Sequence, residues 1–244
     1  MIYHLEVSIL RGTVEASINH FPVYSVTSIE TGNIFSMPIN PYLIHVNNVI
    51  GKILPVNKAQ LTSQDPKLLP EYTAKIKEFE AGQYSGHDQG RVIAETKQKG
   101  FIPFNFSFNN KSNINFGGLF DSFEKISSQD ALREFGFQLY KTVRAHNIDR
   151  LLALLDIKLK GFSQSFSFTL DDAKNGIREA LNDGVIDAFV QAPELFAQQI
   201  VAVDCWDKKL FLLMRANGKH LLSTSDWEMP IFVAQIDRKL FIVR

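Results

Sequence analysis

The sequence predicts an α+β protein in two parts: an N-terminal antiparallel β-sandwich, then a domain in which helices pack on a curved antiparallel sheet. Three observations carry this reading. Residues 1–108 alternate apolar and polar side chains with a period of two, residues 131–182 shift to a period near 3.6, and the last fifty residues return to strand-like runs punctuated by short turns.

In the first part, Ile2–Leu10 and residues 14–18 alternate as half-buried strands do. Short strands are expected at 22–28 and 49–54, separated by turns at Thr31-Gly32-Asn33 and Pro38-Ile39-Asn40-Pro41. Residues 72–79 and 91–96 read as two more strands around a polar, Gly-rich tip at 82–90. The run 101–108 closes this half, with Phe104, Phe106 and Phe108 on one side of a strand. Strands spaced this way suggest a sandwich or jelly roll. A polar, glycine-ended stretch at 109–118 then breaks the pattern. The expected division is a β-sandwich over 1–108, a linker over 109–127 and an α+β domain over 128–244.

Within residues 131–146, Leu132, Phe135, Leu139 and Val143 share a stripe opposite Arg133, Glu134, Lys141 and Arg144, which predicts a one-sided surface helix capped by Ser127 or Ser128. Asn147 is the expected cap of a short, leucine-rich helix over 148–156. A third helix, over 171–182, has Thr169 as cap and Gly184 as stop. Residues 195–206, 209–216, 219–224, 231–236 and 239–243 then read as strands. Asp207-Lys208, Asn217-Gly218 and Asp237-Arg238 are the turns between them, and Asn-Gly favours a hairpin because both residues tolerate positive φ.

Helix, short helix, brief strand, helix and then long antiparallel strands is an order that resembles the nuclear transport factor two-like, or ketosteroid isomerase-like, cone fold. The residues carrying the resemblance are 131–156, Asn175-Gly176-Ile177-Arg178-Glu179-Ala180-Leu181 and the close at 236–243. Where that family commonly ends Asp-Gly-x-Trp-x-Ile, this chain has Asp237-Arg238 and Phe241. The resemblance implies a fold shared by isomerases, dehydratases, small-molecule binders, transport adaptors and dimerising modules, so it does not choose a function. The first half is similar to β-sandwich modules of carbohydrate-active proteins at Val46-Asn47-Asn48-Val49-Ile50. That likeness implies a sugar-stacking surface at Tyr24, Tyr42 or Tyr84.

Two-residue turns at 207–208 and 217–218 would set Cys205 opposite Leu210, Val203 opposite Leu212, Val201 opposite Met214, Met214 opposite Leu221 and Leu212 opposite Ser223. That face is almost wholly apolar and is assigned to the interior beneath the helices. It offers no carboxylate, whereas isomerase chemistry needs a carboxylate base inside the cone. The opposite face, with Trp206, Phe211, Leu213, Arg215 and His220, is the expected interface. Asp226, Trp227 and Glu228 form a loop expected at the mouth of a pocket.

Lys plus Arg and Asp plus Glu balance at 26 each, which removes the usual electrostatic argument for nucleic acid or an anionic membrane as partner. Cys205 is the only cysteine, so there is no intramolecular disulfide and no multi-cysteine metal site. His4, His20, His45, His87, His146 and His220 lack metal-ligand spacing, no Gly-x-Ser-x-Gly occurs, and Gly82-Gln83-Tyr84-Ser85-Gly86 lacks a phosphate-loop lysine. Nothing calls for a cofactor or a metal. The N-terminus lacks the basic start and apolar core of a secretory signal, so a soluble, cytoplasmic protein is expected; a chain already trimmed of its signal reads the same way.

The functional expectation is a non-enzymatic binding protein that uses the C-terminal sheet for a homodimer or a protein partner. One alternative is a cone-pocket small-molecule binder or isomerase/dehydratase-like enzyme, with Asp226, Glu228 and Asp204 as acids. The other is a carbohydrate-binding module in the N-terminal half.

Overall fold

A computed structural model describes residues 1–10, 12–28, 33–44, 49–56, 69–80, 90–100, 103–192 and 194–244. Tyr84, His87 and the 46–48 stretch lie outside these described residues. Helices and antiparallel sheets are both present, giving an α+β composition. The chain divides into two compact units, Met1–Gly117 and Gly118–Arg244. Among the described residues no helix is long and apolar enough to cross a membrane.

The first unit holds β1 (Ile2–Leu10), β2 (Gly12–Ile18), β3 (Phe21–Ser28), β4 (Asn33–Pro38), β5 (Val49–Val56), β6 (Glu71–Phe79), β7 (Arg91–Lys99) and β8 (Phe104–Phe108). They form two four-stranded antiparallel sheets, ordered β4-β1-β6-β7 and β3-β2-β5-β8. Alternation along β1 sends Tyr3, Leu5, Val7 and Ile9 to one side. There they join Tyr72, Ala74 and Ile76 of β6, and Val14, Ala16, Ile18 and Phe108 of the other sheet, in a single buried cluster. On the opposite face of β1, His4 and Glu6 are buried and Glu6 accepts from Lys77 Nζ at 2.5 Å; Glu78, in register with Tyr3, is buried on the other side and pairs with Arg91. Such pairs offset the cost of taking the buried carboxylates out of water.

β4 falls where the sequence shows turn residues. Its ends, Asn33 and Pro38, read as punctuation, but the strand lies at a sheet edge, where a terminal proline is tolerated. The expected linker begins as ordered loop: Lys111 N donates to Tyr3 Oη at 2.7 Å, and Ser112 N donates to Asn110 Oδ1 at 2.9 Å.

α1 (Gly117–Asp121) begins at the boundary residue, and the second unit continues with α2 (Gln129–Arg144), α3 (Ile148–Leu154), α4 (Asp156–Phe166), α5 (Leu170–Ala180) and α6 (Ile186–Gln191). Ser128 accepts from Ala131 N at 3.1 Å at the start of α2, and Asn147 accepts from Arg150 N at 3.1 Å at the start of α3. Thr169 and Asp172 make a reciprocal capping box at the start of α5. The brief strand expected between the second and third helices is replaced by α4. Its Phe162-Ser163-Gln164-Ser165-Phe166 run mimics a period of two, while Leu159, Gly161, Ser163 and Ser165 are buried within a continuous helix. Ser167, at φ 59°, ends it in the left-handed region.

The strands of this unit are β9 (Ile200–Trp206), β10 (Leu210–Arg215), β11 (Leu222–Ser223), β12 (Glu228–Met229), β13 (Phe232–Ile236) and β14 (Lys239–Ile242). Four of them form an antiparallel sheet in the order β14-β13-β10-β9, and β11 pairs with β12. The first expected strand starts late, because residues 197–199 form a short 3₁₀ turn. The third, 219–224, shrinks to β11 and a single bridge between Met214 and His220.

Candidate functional site

Two of the three C-terminal turns form as their residues imply. Asp207 and Lys208 have φ of 41° and 62°, and Asp237 and Arg238 have 48° and 63°, the pair of positive values a two-residue primed turn requires. The Asn-Gly turn does not. Only Gly218 is left-handed, at φ 84°, and the bonds Gly218 N to Arg215 O (2.9 Å) and Arg215 N to Lys219 O (2.8 Å) close a three-residue loop. This extra residue sets His220, not Leu221, opposite Met214 and cancels the expected Leu212–Ser223 pairing. In the first hairpin Val203–Leu212 and Val201–Met214 pair as expected, but a bulge leaves Cys205 out and sets Trp206 opposite Leu210.

The helices cover the face opposite to the one assigned from sequence. Ile200, Phe211, Leu213, Val233 and Ile242 are buried in one core with Leu132, Leu139, Tyr140 and Val143 of α2. Phe211 and Leu213, expected in an exposed interface, are 1% and 0% exposed. Of the face expected in the interior, Leu210 and Leu212 of β10 are buried at 0% and 6%, but Val201 and Val203 on the outer strand β9 are 41% and 43% exposed. Apolar content cannot distinguish the faces, since each carries a run of large aliphatic side chains. The helix decides. A Cβ on Gly136 of α2 would stand 3.1 Å from Leu213 Cδ1 and 3.3 Å from Ile200 Cγ2, so this glycine lets α2 settle onto that face.

The polar members of the buried face are accommodated singly. Arg215 lays its guanidinium over the rings of Tyr140 and Phe189 and donates to Leu221 O (3.1 and 3.0 Å) and Ser223 O (2.8 Å), so it staples the loop beside it. It does not oppose His220. Asp204 lies beyond the helix cover and accepts from Trp206 N and Lys208 N at 3.0 Å, holding the bulge and turn. Trp206 is half-buried, its ring 6.4 and 6.3 Å from those of Phe120 and Phe123.

The Asp226–Glu228 loop is fixed by Thr224, which accepts from Trp227 N at 3.1 Å. Trp227 packs edge-on to Phe189 at 6.3 Å, against the core, whereas Asp226 and Glu228 are exposed. Burial pushes His220 below its ordinary pKa; Glu228 opposes this by favouring the charged form, and the Lys158 charge adds to it. No partner reaches the buried His220 Nδ1 among the described residues. Lys158, on α4, donates to Pro230 O at 2.8 Å. Burial, with the Arg244 charge adding, pushes its pKa down to about 7. Sequence reasoning missed Lys158 because one lysine in a helical run carries no signal of what encloses its ammonium.

Cys205 is half-buried, and burial pushes its thiol up to about 11, so it is not a thiolate at neutral pH. Asp149, Asp156, Lys174 and Arg178 line a shallow surface groove beside α3 and α5 but pair among themselves, Arg178 with Asp149 at 3.7 Å and Lys174 with Asp156 at 3.8 Å. Among the described residues no group of three or more His, Cys, Asp or Glu could hold a metal ion. Tyr24 stacks on Phe35, and Tyr42 lies 5.3 Å from Phe21, both packed against the first unit's core. No protein-family model matches the sequence, and neither a curated protein nor a solved structure matches it.

Proposed function

We propose that this is a non-enzymatic binding protein that works through protein contact at its C-terminal sheet. The observation that carries the reading is the outer strand β9, with Val201 and Val203 exposed at 41% and 43% on a sheet whose other face is buried under helices. The contact surface is therefore this edge, not the Phe211–Leu213 face. Single exposed valines need no explanation; two in register on an edge strand present a surface another strand can extend. The same proposal reads the first unit as a β-sandwich, supported by the cluster that draws side chains from both sheets, and the second as cone-type, supported by α2 on one face of a four-stranded sheet. A cytoplasmic location belongs to it too and rests on the lone Cys205.

The test is a fluorescein-labelled peptide of residues 199–206, titrated by anisotropy into the wild type at sub-micromolar concentration. Saturable binding is expected, with at least a tenfold loss in Val201→Lys/Val203→Lys. A monomeric wild type that does not bind the peptide would overturn the reading.

A further inference from the structure

Natural sheets blunt their edges with proline, lysine and other charges, short strands or bulges. Most edges of this protein do so. β3 carries Pro22, β4 ends in Pro38, β7 carries Arg91, Glu95, Lys97 and Lys99, β8 follows Pro103, and β14 opens on Lys239. β9 is different. Its sole charge, Asp204, is turned back onto Trp206 N and Lys208 N and does not reach across the edge.

The backbone of β9 faces outward in a defined pattern. Leu213 N donates to Ile231 O, toward β13, so Leu212 and Met214 are the residues of β10 whose N–H groups face β9. Val203 and Val201 lie opposite them, and the amide groups of the alternate residues Ala202 and Asp204 therefore point off the sheet, together with Ile200 C=O. Ile200 N is already bonded to Ala197 O. Among the described residues no strand pairs with this edge.

Resting on the proposed contact function, we infer that the occupant of this edge is a second copy of the same strand, antiparallel about a two-fold axis at Val203, so that two sheets join as one. In this register Ala202 and Asp204 of one copy exchange N–H···O=C bonds with Asp204 and Ala202 of the other. Val203 faces its own counterpart, so the exposed valines of the two copies lie side by side. Asp204 stands opposite Ala202, and like charges never face each other. A shift of the axis to Ala202 sets Asp204 against the buried Ile200, and a shift to Asp204 opposes two carboxylates. Of these three registers, only the one centred on Val203 is self-complementary.

The experiment pairs light scattering with cysteine scanning in a Cys205→Ser background. The wild type is expected at twice the mass of the chain and Val203→Lys at the single mass, with unchanged circular dichroism because the side chain is 43% exposed. Oxidised Val203→Cys/Cys205→Ser is expected to form a covalent dimer, because facing residues of a non-hydrogen-bonded pair lie about 4.5 Å apart at Cα, within disulfide reach. Val201→Cys/Cys205→Ser is expected to form none, because the two introduced cysteines are four residues out of register, roughly 13 Å. A monomeric wild type overturns the inference, while peptide binding to that monomer keeps the contact function. A dimer that survives Val203→Lys, or one that cross-links through position 201 instead of 203, also overturns it.

Discussion

Leu213→Ala and Val203→Ala, made side by side, test which face of the sheet is core. Leu213 is 0% exposed and lies under Gly136 of α2, whereas Val203 keeps 43% of its surface. Truncating a buried leucine forfeits about 2 kcal/mol of transfer free energy, and the cavity left behind brings the total to about 3 kcal/mol. Truncating a half-exposed valine forfeits under about 1 kcal/mol. With a urea slope of about 2 kcal/mol/M, the midpoint falls by roughly 1.5 M for Leu213→Ala and by less than about 0.5 M for Val203→Ala. Trp206 and Trp227, the only two tryptophans, both lie in the second unit, so their fluorescence reports that unit. Read at sub-micromolar protein, where association adds nothing, a Val203→Ala shift as large as that of Leu213→Ala would refute the placement of α2.

The remaining predictions concern one buried cation and two turns. Lys158 titrates near 7 in the folded chain and near 10.4 in the unfolded one, so between these values the unfolded state binds the extra proton and this group makes stability rise with pH; below 7 its full penalty is present. Urea midpoints measured from pH 6 to 10 should show that rise, and Lys158→Met should flatten it and raise the midpoint at pH 6. Lys208→Gly and Arg238→Gly relieve left-handed φ values of 62° and 63° and should each stabilise by about 1 kcal/mol, read as higher thermal midpoints. A loss of stability in both would mean that the lysine and arginine side chains contribute more than the backbone strain costs.

Local chemistry is legible in this sequence wherever a few neighbouring residues settle the outcome. Period-two alternation locates β1, β2 and β6, the stripe on residues 132–143 locates α2, and Asn147 and Thr169 cap the helices they precede. Asp207-Lys208 and Asp237-Arg238 enter the left-handed region as their positions demand. These outcomes follow from backbone sterics and from hydrogen bonds within a turn, both short-ranged.

Only the tertiary structure decided the face of the sheet. Both faces of β10 are apolar and buried, so which of them α2 covers followed from where the helix could approach most closely, at Gly136, which has no side chain to hold it off Leu213 and Ile200. The Asn217-Gly218 loop took one residue more than its dipeptide suggests, moving His220 opposite Met214, with Arg215 stapled to Leu221 and Ser223. Lys158 became an enclosed cation only because Pro230 and Arg244, distant in sequence, arrive beside it. The residues supplied propensities and turns. Which surface stayed open to another strand was set by the packing of helix on sheet, because burial belongs to pairs of surfaces and not to either alone.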